Sequence, residues 1–533
     1  MRRTLALLSA VALLAGCTAD EPTVRDDTHK AAAGTLRVLA GSELADLEPI
    51  LEDLTKATGV RVTLDYTGTL DGVEQVTSGT AGKDHQAVWF SSNRYLELQS
   101  GASGRIGTQT KVMSSPVVLG LKQSVAKSLG WDAKRPSWQE IADAAAAKRF
   151  SYGMTNPAAS NSGFSALVAL ATALSGKGTA LTAEQVGPVT PKLRQFFDAQ
   201  ALTSGSSGWL ADTFTQKGGV DGLVNYESVL LSLNAGGKLP EPLTLVYPAD
   251  GVVTADYPLT LLSGADAEVK DRYQAVVDYL RRPETQKTLM ERTSRRPVAP
   301  GVALAERFGG GTLFELPFPV KLDTANALID AYNNVARRPS NTIYVLDLSG
   351  SMNEDNRLAG LKTALLGLTG ADTSLSGRFS GFHQREQVTL LPFSSAPRAP
   401  STFTVPPDAP GPVLDQIKGA VNGFQANGST AIYDAMREAY RIARAQQEAD
   451  PGRVTTIVLL TDGEVTAGAN LKSFTDQYQK LPAATKAVPV FPVLFGESAV
   501  EEMKALAALT GGRTFDGRTG TLSAVFKEIR GYQ

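Results

Sequence analysis

Short apolar runs rich in β-branched residues alternate with stretches of helical period from residue 35 almost to the C terminus, and this alternation constrains the fold more than any other feature. Residues 35–40 read as a strand broken by Gly41, apolar residues at 44, 47, 50, 51 and 54 recur at helical spacing, and residues 60–64 alternate as a second strand. Strand, helix and strand in such a short stretch form a βαβ unit, so the fold class is α/β. A chain of 533 residues is too long for one small module, and with 42% apolar and 20% charged residues it has the material for packed cores. The expected division is a first folded region over 35–320, a connecting helix over 321–339 and a second domain over 340–533.

The N terminus reads as an export signal. Arg2 and Arg3 precede an apolar run over 5–16 that is too short to span a bilayer core of about 30 Å. The run ends in Leu14-Ala15-Gly16-Cys17, which resembles a bacterial lipobox. That resemblance implies removal of residues 1–16 and lipidation of Cys17, with a diacylglycerol and further acyl chains such as palmitate anchoring the protein to the cell membrane on its extracytoplasmic face. Loss of Arg2 and Arg3 takes the formal charge from 52 − 54 = −2 to 50 − 54 = −4. Residues 17–34 are polar and lack aromatics, as expected of a flexible tether. The near balance of charges removes the electrostatic case for a nucleic-acid partner. One cysteine excludes an internal disulfide and a cysteine-based zinc site, and three scattered histidines argue against a His-rich metal site.

In the first region, Ala40-Gly41-Ser42, Trp89-Phe90-Ser91-Ser92, Ser115-Pro116-Val117-Val118, Asn156 to Gly163 and Val224-Asn225-Tyr226-Glu227 follow one another at the ends of strands and the starts of helices. Their order resembles that of two-lobed periplasmic solute-binding proteins. The resemblance implies two α/β lobes and a cleft for a small solute, with Ser42, Ser91, Ser92, Ser115, Ser160 and Ser162 as candidate ligand-binding residues. In open α/β sheets ligands sit beyond the carboxyl ends of strands, where hydroxyls meet free helix N–H groups. Serine and asparagine are equally favoured as helix caps with nothing bound. Over 321–339, Leu322, Ala325, Leu328, Ile329, Tyr332 and Val335 form one apolar stripe, expected to pack on a lobe before Pro339 stops the helix.

The second domain opens with Thr342-Ile343-Tyr344-Val345-Leu346, a buried central strand, followed by Asp347-Leu348-Ser349-Gly350-Ser351. Further strands are expected over 388–393, 454–460 and 488–495, and helices over 357–368, 413–424, 431–446 and 499–510. Thr430 precedes one helix and Asp462 follows one strand. These separated pieces resemble the von Willebrand factor type A (VWA) family, a doubly wound, mostly parallel Rossmann-like fold. The resemblance implies a metal-ion-dependent adhesion site in which Asp347, Ser349, Ser351, Thr430 and Asp462 hold one Mg²⁺ or Mn²⁺. Mg²⁺ is hard, takes six oxygens and keeps several waters, which suits neutral hydroxyls and few carboxylates. Such an ion retains positive charge and an open position for an acidic side chain of a protein partner. Glu464 is expected to be a solvated rim residue and no ligand.

The leading reading is a lipid-anchored surface protein that docks a protein partner through the metal. The alternative is the solute-binding component of an ABC importer with an accessory VWA domain. No enzyme activity is expected: there is no Gly-x-Ser-x-Gly elbow, lipidation consumes the one thiol, and His29, His85 and His383 lie far apart in sequence.

Overall fold

The computed structural model describes residues 33–309, 311–496, 499–518 and 521–533. Cys17, the signal segment and nearly all of the tether therefore lie outside the described residues. Among the described residues no helix is long and apolar enough to cross a membrane.

The first region is two sheets. In the first lobe the strands run Val60–Thr67, Gly34–Gly41, Ala87–Trp89, Pro258–Leu262 and Ile106–Lys111 in spatial order. The first three are parallel and Pro258–Leu262 is antiparallel to its neighbours. The second lobe is built on Met113–Lys122, beside which lie Gly222–Tyr226, Tyr152–Thr155 and Gln200–Ser204. The chain passes between lobes around Val112 and again around Tyr257, a non-glycine residue at φ 41°. Ser137 and Glu140 form a capping box, the Glu140 N–H donating to Ser137 Oγ at 3.1 Å and the Ser137 N–H to Glu140 Oε2 at 2.7 Å.

The connecting helix Leu322–Ala331 packs on the second-lobe helix Ala183–Phe197, with Tyr332 edge-on to Phe197 at 4.9 Å. It also reaches the first lobe, where the Tyr95 hydroxyl donates to Asn326 Oδ1 at 2.8 Å. Ala325, Leu328, Ile329 and Tyr332 of the apolar stripe are buried, but Val335 is 42% exposed, contrary to its place in the stripe. The reason is a wide turn over Tyr332–Ala336, closed by the Arg337 N–H on Tyr332 O at 3.0 Å, which shifts the face beyond Tyr332.

The C-terminal sheet has six strands ordered Ser401–Thr404, Gln387–Phe393, Ser340–Asp347, Val454–Thr461, Val490–Leu494 and Phe515–Asp516, all parallel except the first. Every residue of Ser340–Asp347 is buried. Tyr344 and Leu346 feed the core on one face and Ile343 and Val345 the core on the other, as a sheet covered by helices on both sides requires.

This domain sits directly against both lobes. Gly531, in the last turn of the chain, lies so close to the second lobe that a side chain there would meet Ala159 and Gly205 at 2.9 Å. Trp209 stacks edge-on against Tyr532 at 4.8 Å, and Lys217 Nζ donates to Gly511 O at 2.7 Å. On the first lobe, Glu74 Oε2 accepts from the Ser376 hydroxyl at 2.7 Å and from its N–H at 3.1 Å. Beneath these contacts Glu386, buried, joins Arg337 of the connecting segment to Arg530 of the last helix, Leu522–Arg530.

Candidate functional site

Asp347, Ser349 and Ser351, together with Asp462, gather at the carboxyl ends of the adjacent parallel strands Ser340–Asp347 and Val454–Thr461. The chain leaves the first of these for a strand on one side and returns on the other, so this is the switch point at which doubly wound sheets open a crevice. A continuous hydrogen-bond chain links four of the five candidate ligands. The Ser349 N–H donates to Asp347 Oδ1 at 2.8 Å, the Ser349 and Ser351 hydroxyls are 3.1 Å apart, and Ser351 donates to Asp462 Oδ1 at 3.0 Å. Thr461 donates to the remaining Asp347 oxygen at 2.7 Å.

Thr430 rides on a loop pinned to the same turn, with the Asn427 N–H on Leu348 O at 2.8 Å and the Gly350 N–H on Gly428 O at 2.9 Å. Its own backbone is held by Thr466, whose hydroxyl accepts the Thr430 N–H at 2.8 Å. The Thr430 hydroxyl has no hydrogen-bond partner among the described residues. Glu464 is exposed.

Burial pushes the Asp347 carboxyl up to about 6; hydrogen bonds from Ser349 and Thr461 oppose the shift and the charge of Asp462 adds to it. Two buried carboxylates facing hydroxyls need a cation. The sequence reading missed the one that is present: Arg357 Nη1 lies 2.9 Å from Asp462 Oδ2, with the arginine side chain 13% exposed. The donor set, two carboxylates and three hydroxyls without thiolate or imidazole, has the chemistry of a hard-ion site and not of a soft one; among the described residues no group of three or more His, Cys, Asp or Glu that could hold a metal ion occurs.

The second candidate site is a cavity of about 940 Å³ at the cleft between the lobes. Ser42, Ser91 and Ser160 line it; Ser92, Ser115 and Ser162 do not. Ser92 Oγ accepts from the Arg94 N–H at 3.3 Å at the start of a short helix, and Ser115 Oγ accepts from the Ser228 N–H at 3.0 Å at the start of another. Ser162 is fully buried in a hydroxyl cluster with Thr155 at 2.8 Å and Ser207 at 2.7 Å. The lobes touch across the cleft through Asn161, whose N–H donates to Thr69 Oγ1 at 3.1 Å and whose side-chain amide donates to Ser91 Oγ at 3.0 Å. Tyr226 donates to the same Ser91 oxygen at 2.9 Å. Asn161 and Tyr226 stand inside motifs visible in the sequence, but their bridging role depends on the lobes meeting.

Residues 36–292 match the profile of the bacterial extracellular solute-binding protein family, and residues 342–464 match that of the von Willebrand factor type A domain. The inter-alpha-trypsin inhibitor heavy chain H4 of Bos taurus is 30% identical over 141 residues, 26% of this chain and 14% of that protein. Its Homo sapiens counterpart is 31% identical over 133 residues, 24% of this chain and 13% of that protein. The chain thus matches only about one seventh of the length of these relatives. Among solved structures, the periplasmic binding protein AfuA of Actinobacillus pleuropneumoniae is 12% identical with a TM-score of 0.44, covering 56% of this chain and 98% of that one. The ferric binding protein of Campylobacter jejuni is 13% identical with a TM-score of 0.42, covering 56% and 97%. A von Willebrand factor type A protein of Catenulispora acidiphila is 18% identical with a TM-score of 0.29, covering 37% and 43%. The family profiles and the sheet topologies agree: this chain joins a periplasmic-binding-protein-like region to a C-terminal VWA domain.

Proposed function

We propose that this protein is a lipid-anchored, extracytoplasmic binding protein whose VWA domain docks a protein partner through Mg²⁺ or Mn²⁺ held by Asp347, Ser349, Ser351, Thr430 and Asp462. The observation that carries this reading is the hydrogen-bonded chain from Asp347 through Ser349 and Ser351 to Asp462 at the switch point of the sheet. Asp347 and Asp462 supply the negative charge, while the three hydroxyls add oxygens without adding charge. When bound, the ion offers a positively charged open position to an acidic side chain of the partner. The backbone N–H of Ser349 and the hydroxyl of Thr461 fix both oxygens of Asp347, so this carboxylate is oriented in advance. Cys17, as the lipidated residue, would hold the domain at the membrane face where partners are met.

The test is capture of partners from the native surface by the full chain. Capture should be lost in EDTA, return with Mg²⁺ for the wild type, and stay lost for Asp347→Ala. Capture indifferent to EDTA removes the reading. A second reading, solute binding for an ABC importer, is favoured by the 940 Å³ cavity between the lobes and requires a small ligand there.

A further inference from the structure

The cavity at the cleft is not closed by the two lobes alone. Its third wall is the VWA domain, through Ser376 and Phe379 of the short helix Leu375–Ser380 and through the last helix, from Thr521 to Glu528. This wall is seated by design of the local sequence, since the approach of Gly531 to Gly205 leaves no room for a side chain at either position: one at Gly205 would meet the Tyr532 ring at 2.7 Å.

The charges on the wall are unevenly compensated. Each cation facing the cavity already has a carboxylate: Arg513 has Glu528 at 3.2 Å, Lys527 has Asp372 at 2.8 Å, and Arg530 has Glu386 at 2.8 Å. Three carboxylates of the first lobe, Glu43, Asp71 and Glu74, line the same space, and none has a Lys or Arg nitrogen within ion-pair distance among the described residues. Glu43 folds back over Gly41, where a side chain would collide with it at 2.6 Å. Burial pushes the carboxyls of Glu43 and Asp71 up from their ordinary values, opposed by hydroxyl hydrogen bonds from Ser91 and Ser376 and by the more distant charges of Arg295 and Lys527.

Three of the helix N-terminal N–H groups that could instead hold an anion are taken within the protein. Ser206 Oγ accepts the Trp209 N–H, Thr521 Oγ1 accepts the Ala524 N–H, and the Asn161 N–H goes to Thr69. Tyr66, Phe90 and Phe379 present aromatic surface to the same space, and aromatic faces with carboxylates are the means by which proteins bind ammonium groups.

We propose that this cavity is one ligand site built by three units, that it takes a small organic cation bearing hydroxyl groups, and that the VWA domain is a required wall of it. The ligand would supply the charge missing opposite Glu43, Asp71 and Glu74 and would hold the VWA domain against both lobes, so that solute occupancy and domain position are thermodynamically linked. This proposal is independent of the metal site, and its test contains no divalent ion.

The test is calorimetry on the full chain with probes matched for charge: choline against its uncharged isostere 3,3-dimethylbutan-1-ol, and glucosamine against glucose and glucose 6-phosphate. At least one amine should bind, with its neutral match at least tenfold weaker. Asp71→Asn should abolish that preference, and Glu74→Gln should weaken it. Gly531→Leu, which wedges the third wall away and leaves every carboxylate in place, should cost at least tenfold in amine affinity, as should Tyr532→Ala, with near-UV circular dichroism reporting that the folds are intact. Failure of both amines to bind, or binding of a neutral or phosphorylated probe as strong as that of its amine, overturns the ligand class. Wild-type amine affinity in folded Gly531→Leu and Tyr532→Ala overturns the third wall.

Discussion

The two candidate sites are built by opposite strategies. The VWA site draws its ligands from within two residues of strand or helix ends in one domain, so the backbone alone aims them. The cleft cavity draws residues from Gly41 to Tyr532 and exists only when two lobes and the VWA domain are seated together. A site of the first kind should survive disturbance of the domain interface; one of the second kind should not. Beneath that interface the buried hub at Glu386 ties the connecting segment to the last helix, accepting from Arg530 at 2.8 and 2.9 Å and pairing with Arg337.

The largest effect should therefore come from that hub. Glu386→Gln leaves two buried guanidiniums without their carboxylate, and breaking such a pair costs about 3–5 kcal/mol. Chemical denaturation should show this loss, and cavity ligands should bind more weakly while divalent-ion affinity is retained. Equal damage to both sites would dissolve the contrast. The hub also sets the response to acid. Burial depresses the neighbouring His383 from 6.5 to about 3, so the fold keeps it neutral while the unfolded chain takes up a proton. Although its own burial opposes the shift, Arg530 and Arg337 hold Glu386 down at about 2 against an ordinary 4.5. Both contributions are complete above pH 6.5; the histidine's is lost progressively from there down and the glutamate's from 4.5 down. Stability measured against pH should fall over this window, and His383→Gln should flatten the upper half of it.

Next in size is the metal site itself. Asp347→Ala should reduce Mn²⁺ affinity by at least about a hundredfold, equivalent to about 2.7 kcal/mol, read by calorimetry, while the cleft keeps its ligand affinity. Wild-type Mn²⁺ binding by this variant would remove Asp347 from the ligand set.

The same contrast explains what could be read from the sequence. That Asp347, Ser349, Ser351 and Asp462 come together was legible because a strand end dictates where the next side chains point. The six serines of the first region were legible only as a residue type: Ser42, Ser91 and Ser160 face the cavity, whereas Ser92, Ser115 and Ser162 turn toward helix starts or a buried hydroxyl cluster. A serine after a strand satisfies either role, and the choice is made by tertiary packing. The third wall was invisible for a related reason. Val525, Phe526 and Ile529 mark the inner face of the last helix, but nothing in their spacing says that the other side closes a cleft beginning hundreds of residues earlier. Val335 failed because the helical period assumed for it does not hold through a wide turn.

The smallest expected effect concerns Arg357, the cation the sequence reading passed over. It is presented by two residues with left-handed backbone, Asp355 at φ 48° and Asn356 at φ 59°. Gly496, at φ 61°, lies against it so closely that a side chain there would meet the guanidinium at 3.1 Å and Asp462 at 3.0 Å. The arginine is thus held on Asp462 by its surroundings and acts as counter-charge in the ion-free protein. A divalent ion must share Asp462 with it or push it aside. Removing the arginine relieves both its competition for Asp462 and its repulsion of the ion, so Arg357→Ala should bind Mn²⁺ about fivefold more tightly, equivalent to about 1 kcal/mol. Arg357→Lys, which keeps the charge but loses the planar fork, should fall between the two. A weaker affinity in Arg357→Ala would reverse the assignment and make Arg357 the group that positions Asp462 for the ion, in which case the site depends on its neighbours more than its motif suggests and the contrast with the cleft narrows.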